Sequence, residues 1–162
     1  MKKKQRDLAT LKKKLRMEGA LPSKILSPSG PTDISAFTSA KVLGLYFSAS
    51  WCGLCKEITP KLVSMYEEVN KPETQFHVLF VSGDEGQADF EAYYKTMPFF
   101  AVPLDDDVIE QLAKTYKVAS MPTLVLIDKT GKVIKDKAHN YIQNHTSKTW
   151  KEVFNSWKAL YP

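Results

Sequence analysis

Residues 42–49 form a nearly continuous apolar run, the pattern of a central strand buried on both faces of a sheet. From Leu54 the period changes: Ile58, Leu62, Met65, Tyr66 and Val69 fall on one helical face, with Pro60 placed to kink it. Phe76 to Ser82 reads as the next strand and Gly83-Asp84-Glu85-Gly86 as its turn. A helix over 87–96 then presents Phe90, Tyr93 and Tyr94. The Pro98-to-Pro103 segment is too broken by proline for a central strand. Asp106 or Asp107 is expected to cap a helix through Tyr116, with Ile109, Leu112 and Ala113 on one face. Thr123 to Ile127, the turn Asp128-Lys129-Thr130-Gly131, and Val133-Ile134 read as a β-hairpin. A last helix near 147–160 aligns Trp150, Val153, Phe154, Trp157 and Leu160 toward the core.

Toward the N-terminus, Leu8, Leu11 and Leu15 recur at helical spacing and predict a short amphipathic helix over 5–17. Ser23 to Leu26 is a candidate first strand, closed by the breaker-rich Ser27-Pro28-Ser29-Gly30-Pro31, and Asp33 caps a short helix through Phe37. Strands alternating with helices and ending in a hairpin predict an α/β fold, a central mixed β-sheet flanked by helices on both faces. At 162 residues one domain is expected, over 23–162, preceded by a basic extension over 1–22.

Charge sharpens that division. Residues 1–24 hold nine of the 23 Lys and Arg residues and only two of the 18 Asp and Glu residues, so the basicity belongs to the extension. Lys2-Lys3-Lys4 and Lys12-Lys13-Lys14 have the composition of a segment for RNA, anionic lipid or an import receptor. The reading preferred is a solvated arm docked through its leucines, without a nucleic-acid partner. No apolar run approaches the ~20 residues of a membrane span, and the N-terminus lacks the apolar stretch of a secretory signal. Two cysteines are too few for a disulfide scaffold; a reducing compartment is expected, the cytoplasm, with the nucleus as the alternative.

Those two cysteines carry the chemistry. Trp51-Cys52-Gly53-Leu54-Cys55-Lys56 spaces them as C-x-x-C where the apolar strand gives way to a helix. A free cysteine with a pKa of about 8.5 is only about 3% ionised at pH 7, yet thiolate is the attacking form. Cys52 precedes the helix, where unpaired N–H groups and the macrodipole favour negative charge. Cys55 lies within the first turn and can reach back to it. Cys52 is therefore the expected nucleophile and Cys55 the buried resolving thiol. As a zinc site the pair offers two ligands where a structural site takes four, and His77, His139 and His145 complete no finger spacing. Met121-Pro122, just before the last apolar strand, is a candidate cis peptide that would turn the backbone of Ser120 and Met121 outward to pair with an extended substrate.

Together these features resemble the thioredoxin superfamily: W-C-x-x-C after a buried strand, Pro60 in the following helix, and Met121-Pro122-Thr123 before the hairpin. Tyr46-Phe-Ser-Ala-Ser-Trp-Cys52, Phe80-Val-Ser-Gly-Asp-Glu85 and Tyr93-Tyr-Lys-Thr-Met-Pro-Phe-Phe-Ala-Val-Pro103 are similar to the tryparedoxin and nucleoredoxin branch, over about residues 24–136. The resemblance implies a thioredoxin-like fold and a protein-disulfide reductase, a dithiol carrier acting through Cys52 and Cys55. Pro122 would be its cis-proline and Trp51 the aromatic wall beside the nucleophile. It implies no bound cofactor: an upstream dithiol or reductase would supply electrons, and disulfide-bearing proteins such as peroxidases or peroxiredoxins would receive them. The alternative is a binding or adaptor module of the same fold with little turnover. Gly53-Leu54 and Lys56 replace the family's usual Pro-Pro and Arg, and Gly83 replaces a tryptophan. Tyr46 stands where ordinary thioredoxin has a buried acid, and Asp84 is the candidate substitute.

Overall fold

The computed structural model describes residues 21–145 and 149–162; the helix expected over 5–17 lies outside them. Among the described residues seven strands form one mixed sheet: β1 (Lys24–Ser27), β2 (Gly30–Asp33), β3 (Val42–Ser48), β4 (Phe76–Ser82), β5 (Phe100–Ala101), β6 (Thr123–Ile127) and β7 (Val133–Lys135). Their order is β2-β1-β5-β4-β3-β6-β7. β3 runs parallel to β4 and antiparallel to β6, and every residue of all three strands is buried.

The two-residue period of these strands divides the core. Val42 and Tyr46 of β3, Val78 and Phe80 of β4, and Leu124 and Leu126 of β6 point to one face. There they meet α2 (Gly53–Val69), α3 (Gln87–Tyr94), α5 (His139–Gln143) and α6 (Trp150–Lys158). Leu43, Leu45, Phe47, Leu79, Val81, Val125 and Ile127 point to the other, against α1 (Ile34–Thr38) and α4 (Asp106–Thr115). The continuous apolar runs are thus explained by helices on both faces.

Several expectations are corrected. Gly30 takes a φ of +127°, a value open to glycine, and turns the breaker-rich segment into a β1–β2 hairpin, with Pro31 on the edge strand. The Pro98-to-Pro103 segment does contribute an interior strand, because Phe100 and Ala101, between the prolines, keep their N–H groups and pair with β4 and β1. Asp105, not Asp106 or Asp107, caps α4, accepting from the N–H groups of Asp107 and Val108 at 3.0 and 3.2 Å. The last helix ends at Lys158, so helical spacing no longer directs Leu160, which is exposed. α2 continues through Pro60, which cannot donate to the carbonyl one turn back.

Candidate functional site

β3 delivers the chain to the N-terminus of α2, and Cys52 is the residue that caps the helix. Its backbone is extended, with φ −90° and ψ 115°, and its Sγ accepts from the N–H of Cys55 at 3.2 Å. A Ser or Asp oxygen makes the same bond at an ordinary N-cap. A thiolate would accept that N–H more strongly than a thiol, and the helix dipole acts in the same direction. Both sulfurs are free, Cys52 at 9% exposure and Cys55 at 0%. Only Cys52 therefore offers surface to an incoming disulfide.

Three segments form the rim around Cys52. The Met121–Pro122 peptide bond is cis, as the sequence predicts, and the Cys52 thiol donates to the Met121 carbonyl at 3.7 Å. Pro122 is buried, while the Ser120 side chain is exposed. The Ser120 carbonyl is taken by the Thr123 hydroxyl at 2.7 Å, so of the pair Met121 presents its backbone to the sulfur. Trp51 is 68% exposed, and its indole Nε1 donates to the Gly83 carbonyl at 3.2 Å, which holds the ring beside the site. Gly83 also fits here for want of a side chain: a Cβ would stand 2.6 Å from Met121 Sδ and 3.3 Å from Ala49 Cβ. The space that a larger residue would fill is occupied by Met121.

Asp84 does not act as a carboxylate beneath Cys55. Its Oδ1 accepts from the Ser50 N–H at 3.0 Å and the Ser50 hydroxyl at 2.6 Å, and its Oδ2 accepts from the Ser82 hydroxyl at 3.2 Å. It braces the loop that enters Trp51 and Cys52.

Beneath Cys55 lies a set of buried hydroxyls instead. Tyr46 and Ser48 lie two residues apart on one face of β3, and Thr59 lies one helical turn beyond Cys55 on α2. Tyr93 comes from α3. Tyr46 and Thr59 hydroxyls are 2.7 Å apart, Thr59 and Tyr93 are 2.8 Å apart, and Tyr93 and Ser48 are 2.8 Å apart. The Ser48 side chain in turn acts on the Cys55 thiol. Burial, then the neighbouring Cys52 side chain, push the Cys55 thiol up to about 11, while the Ser48 hydroxyl opposes that rise. Burial likewise raises Tyr46 and Tyr93, so both phenols stay protonated near neutrality.

The cysteines, Trp51, Met121 and Pro122 thus converge as the sequence predicts. Ser48, Thr59 and Tyr93 were not anticipated: their hydroxyls sit among apolar positions and read as packing. The available signal was a polar residue on the Tyr46 face of β3 together with a threonine four residues after Cys55. Among the described residues, no group of three or more His, Cys, Asp or Glu side chains could hold a metal ion.

The sequence model of a thioredoxin-like family matches residues 40–133. Tryparedoxin of Trypanosoma brucei brucei is 38% identical over 120 residues, spanning 73% of this chain and 82% of that protein. Probable nucleoredoxin 1 of Arabidopsis thaliana is 40% identical over 106 residues, which is 65% of this chain but 18% of the plant protein. The chain thus spans only a fraction of the nucleoredoxins it matches. Among solved structures, tryparedoxin I of Crithidia fasciculata superposes with a TM-score of 0.71 at 28% identity, covering 80% of this chain and 91% of that one. Tryparedoxin from Trypanosoma brucei gives a TM-score of 0.68 at 37% identity, covering 76% and 88%. Sequence and fold agree, and the chain belongs to the thioredoxin-like family, on the branch of the tryparedoxins and nucleoredoxins, a family of thiol–disulfide oxidoreductases.

Proposed function

We propose that this protein is a dithiol carrier that reduces disulfides in other proteins, peroxidases and peroxiredoxins among them, and is recharged by an external dithiol or a reductase rather than by a bound cofactor. Cys52 as thiolate attacks a client disulfide and forms a mixed disulfide. Cys55 then attacks Cys52 Sγ, releasing the client thiol and leaving a Cys52–Cys55 disulfide for the upstream donor. Trp51 and the backbone of Met121, flanked by Ser120 and Pro122, form the surface on which the client segment lies. The observation that carries the reading is the asymmetry of the pair: Cys52 Sγ caps a helix and the residue keeps 9% exposure, while Cys55, one turn on, has none. Among the described residues no helix is long and apolar enough to cross a membrane. With both cysteines committed to exchange, a reducing compartment suits the protein, the cytoplasm or the nucleus.

Insulin reduction driven by dithiothreitol tests the reading. Wild type should turn over and Cys52→Ser should fall to the uncatalysed rate. No turnover by wild type would instead make the chain a binding module built on this fold, and full turnover by Cys52→Ser would place the chemistry elsewhere.

A further inference from the structure

Exchange through this pair has a proton to dispose of. The buried Cys55 carries its proton at neutral pH, yet it must attack as a thiolate. No solvent reaches it, since its exposure is 0%. The side chains that act on its thiol are Cys52 and Ser48, with the Ala49 backbone, and no carboxylate is among them. Asp84, the nearest candidate by sequence, is engaged with Ser50 and Ser82.

The hydroxyl set leads outward from this point. Thr59 and Tyr93 also line a groove of about 450 Å³, completed by Lys56, Pro60, Val63 and Thr96. Ser48, Tyr93 and Thr59 thereby lead from the Cys55 sulfur to solvent in a groove between α2 and α3. We propose that Ser48, Tyr93 and Thr59 are a proton path that carries the Cys55 proton to this groove as Cys55 closes on Cys52.

A hydroxyl can accept one hydrogen bond while donating another, so a row of them passes a proton without any member becoming charged. In the forward step the Cys55 S–H gives its proton to Ser48 Oγ, Ser48 passes its own to Tyr93, Tyr93 to Thr59, and Thr59 to water in the groove. The Cys55 electron pair forms the bond to Cys52 Sγ. The bond between Cys52 and the client sulfur breaks, and its pair leaves with the client as thiolate. The two cysteines are oxidised by two electrons and the client disulfide is reduced by two. When an upstream dithiol reopens the pair, the path runs in reverse and returns a proton to Cys55. Tyr46, bonded to Thr59, orients the outer end. The titratable groups facing Cys55 are Cys52, Tyr46 and Tyr93; Lys56 lines the groove.

This inference rests on the exchange reading above, and one experiment separates the two. The reduced full chain reacts with 5,5′-dithiobis(2-nitrobenzoate), which releases one coloured thiolate when Cys52 attacks and a second when Cys55 resolves. In Ser48→Ala, Tyr93→Phe and Thr59→Val the first release should keep its wild-type rate, which also reports an intact fold. The second release should slow by about 10²-fold near neutral pH, the scale of a lost general base. It should recover when imidazole is added, and it should rise about tenfold per pH unit where wild type changes little. A second release unchanged in all three variants would overturn the path. So would one slowed equally at every pH and untouched by imidazole, because that result describes lost positioning alone. Absence of the first release from wild type would overturn the exchange reading itself.

Discussion

The surroundings of Cys52 and those of Cys55 differ in kind, although only two residues separate the sulfurs in the chain. Around Cys52 the protein offers loop backbone, an exposed indole and a helix N-terminus. Around Cys55 it offers a closed interior in which hydroxyls stand in for the water that burial removes. The first environment suits a sulfur that must meet many partners and carry charge. The second suits a sulfur that must stay neutral until one particular bond is made. The strand–helix junction produces both, because one helical turn is enough to move a side chain from the cap into the core.

The contrast is broken most severely by removing either sulfur. Cys52→Ser leaves no nucleophile at the surface, and dithiothreitol-driven reduction of insulin should drop to background. Cys55→Ser should retain the first attack and lose the second, so multiple turnover fails while client protein accumulates on Cys52. Non-reducing electrophoresis would show those adducts, and their absence would mean that Cys55 does not resolve.

A milder change tests the rim. Gly83→Val must displace Met121, whose sulfur lies where a Cβ would go. Client reduction should fall about tenfold, less than the ~10²-fold that a 1 Å misplacement near reacting atoms can cost. Because Gly83→Val leaves the hydroxyl set in place, the second release in the two-step thiol assay should keep its wild-type rate; slowing of that release would show that rim and interior are not separate.

The smallest effect concerns alkaline stability. Cys55 rises from 9.0 to about 11, chiefly by burial, so the native state holds this proton more tightly than the unfolded chain. Its contribution is complete below about 9 and is lost as pH climbs toward about 11. Tyr116 and Tyr161, each raised by burial to about 12, extend the loss upward. Urea melts should show level stability to about pH 9 and a decline above it, shallower at its onset in Cys55→Ala. An identical decline in that variant would remove Cys55 from the account.

Legibility in the sequence followed the strength of local pattern. β4 reads over its full range because seven consecutive positions are buried, and the cysteine pair reads because its spacing and its place after β3 agree. β2 was hidden by Pro31 and by a turn that needs Gly30, and α5 has five residues of which only Ile142 is buried. The N-cap of α4 was read as Asp106 or Asp107 and is Asp105, because in a run of three aspartates any one could accept from the first turn. The hydroxyl set escaped for a different reason. Ser48, Thr59 and Tyr93 come from three elements, and only the packing of α2 and α3 on β3 makes them neighbours.

The measurement that bears most directly on the unequal roles of the two sulfurs is mass spectrometry of Cys55→Ser and Cys52→Ser after each is mixed with an oxidised client protein. The account predicts a client adduct on Cys52 of Cys55→Ser and none on Cys52→Ser. Adducts on Cys55 of Cys52→Ser, with none on its counterpart, would contradict it.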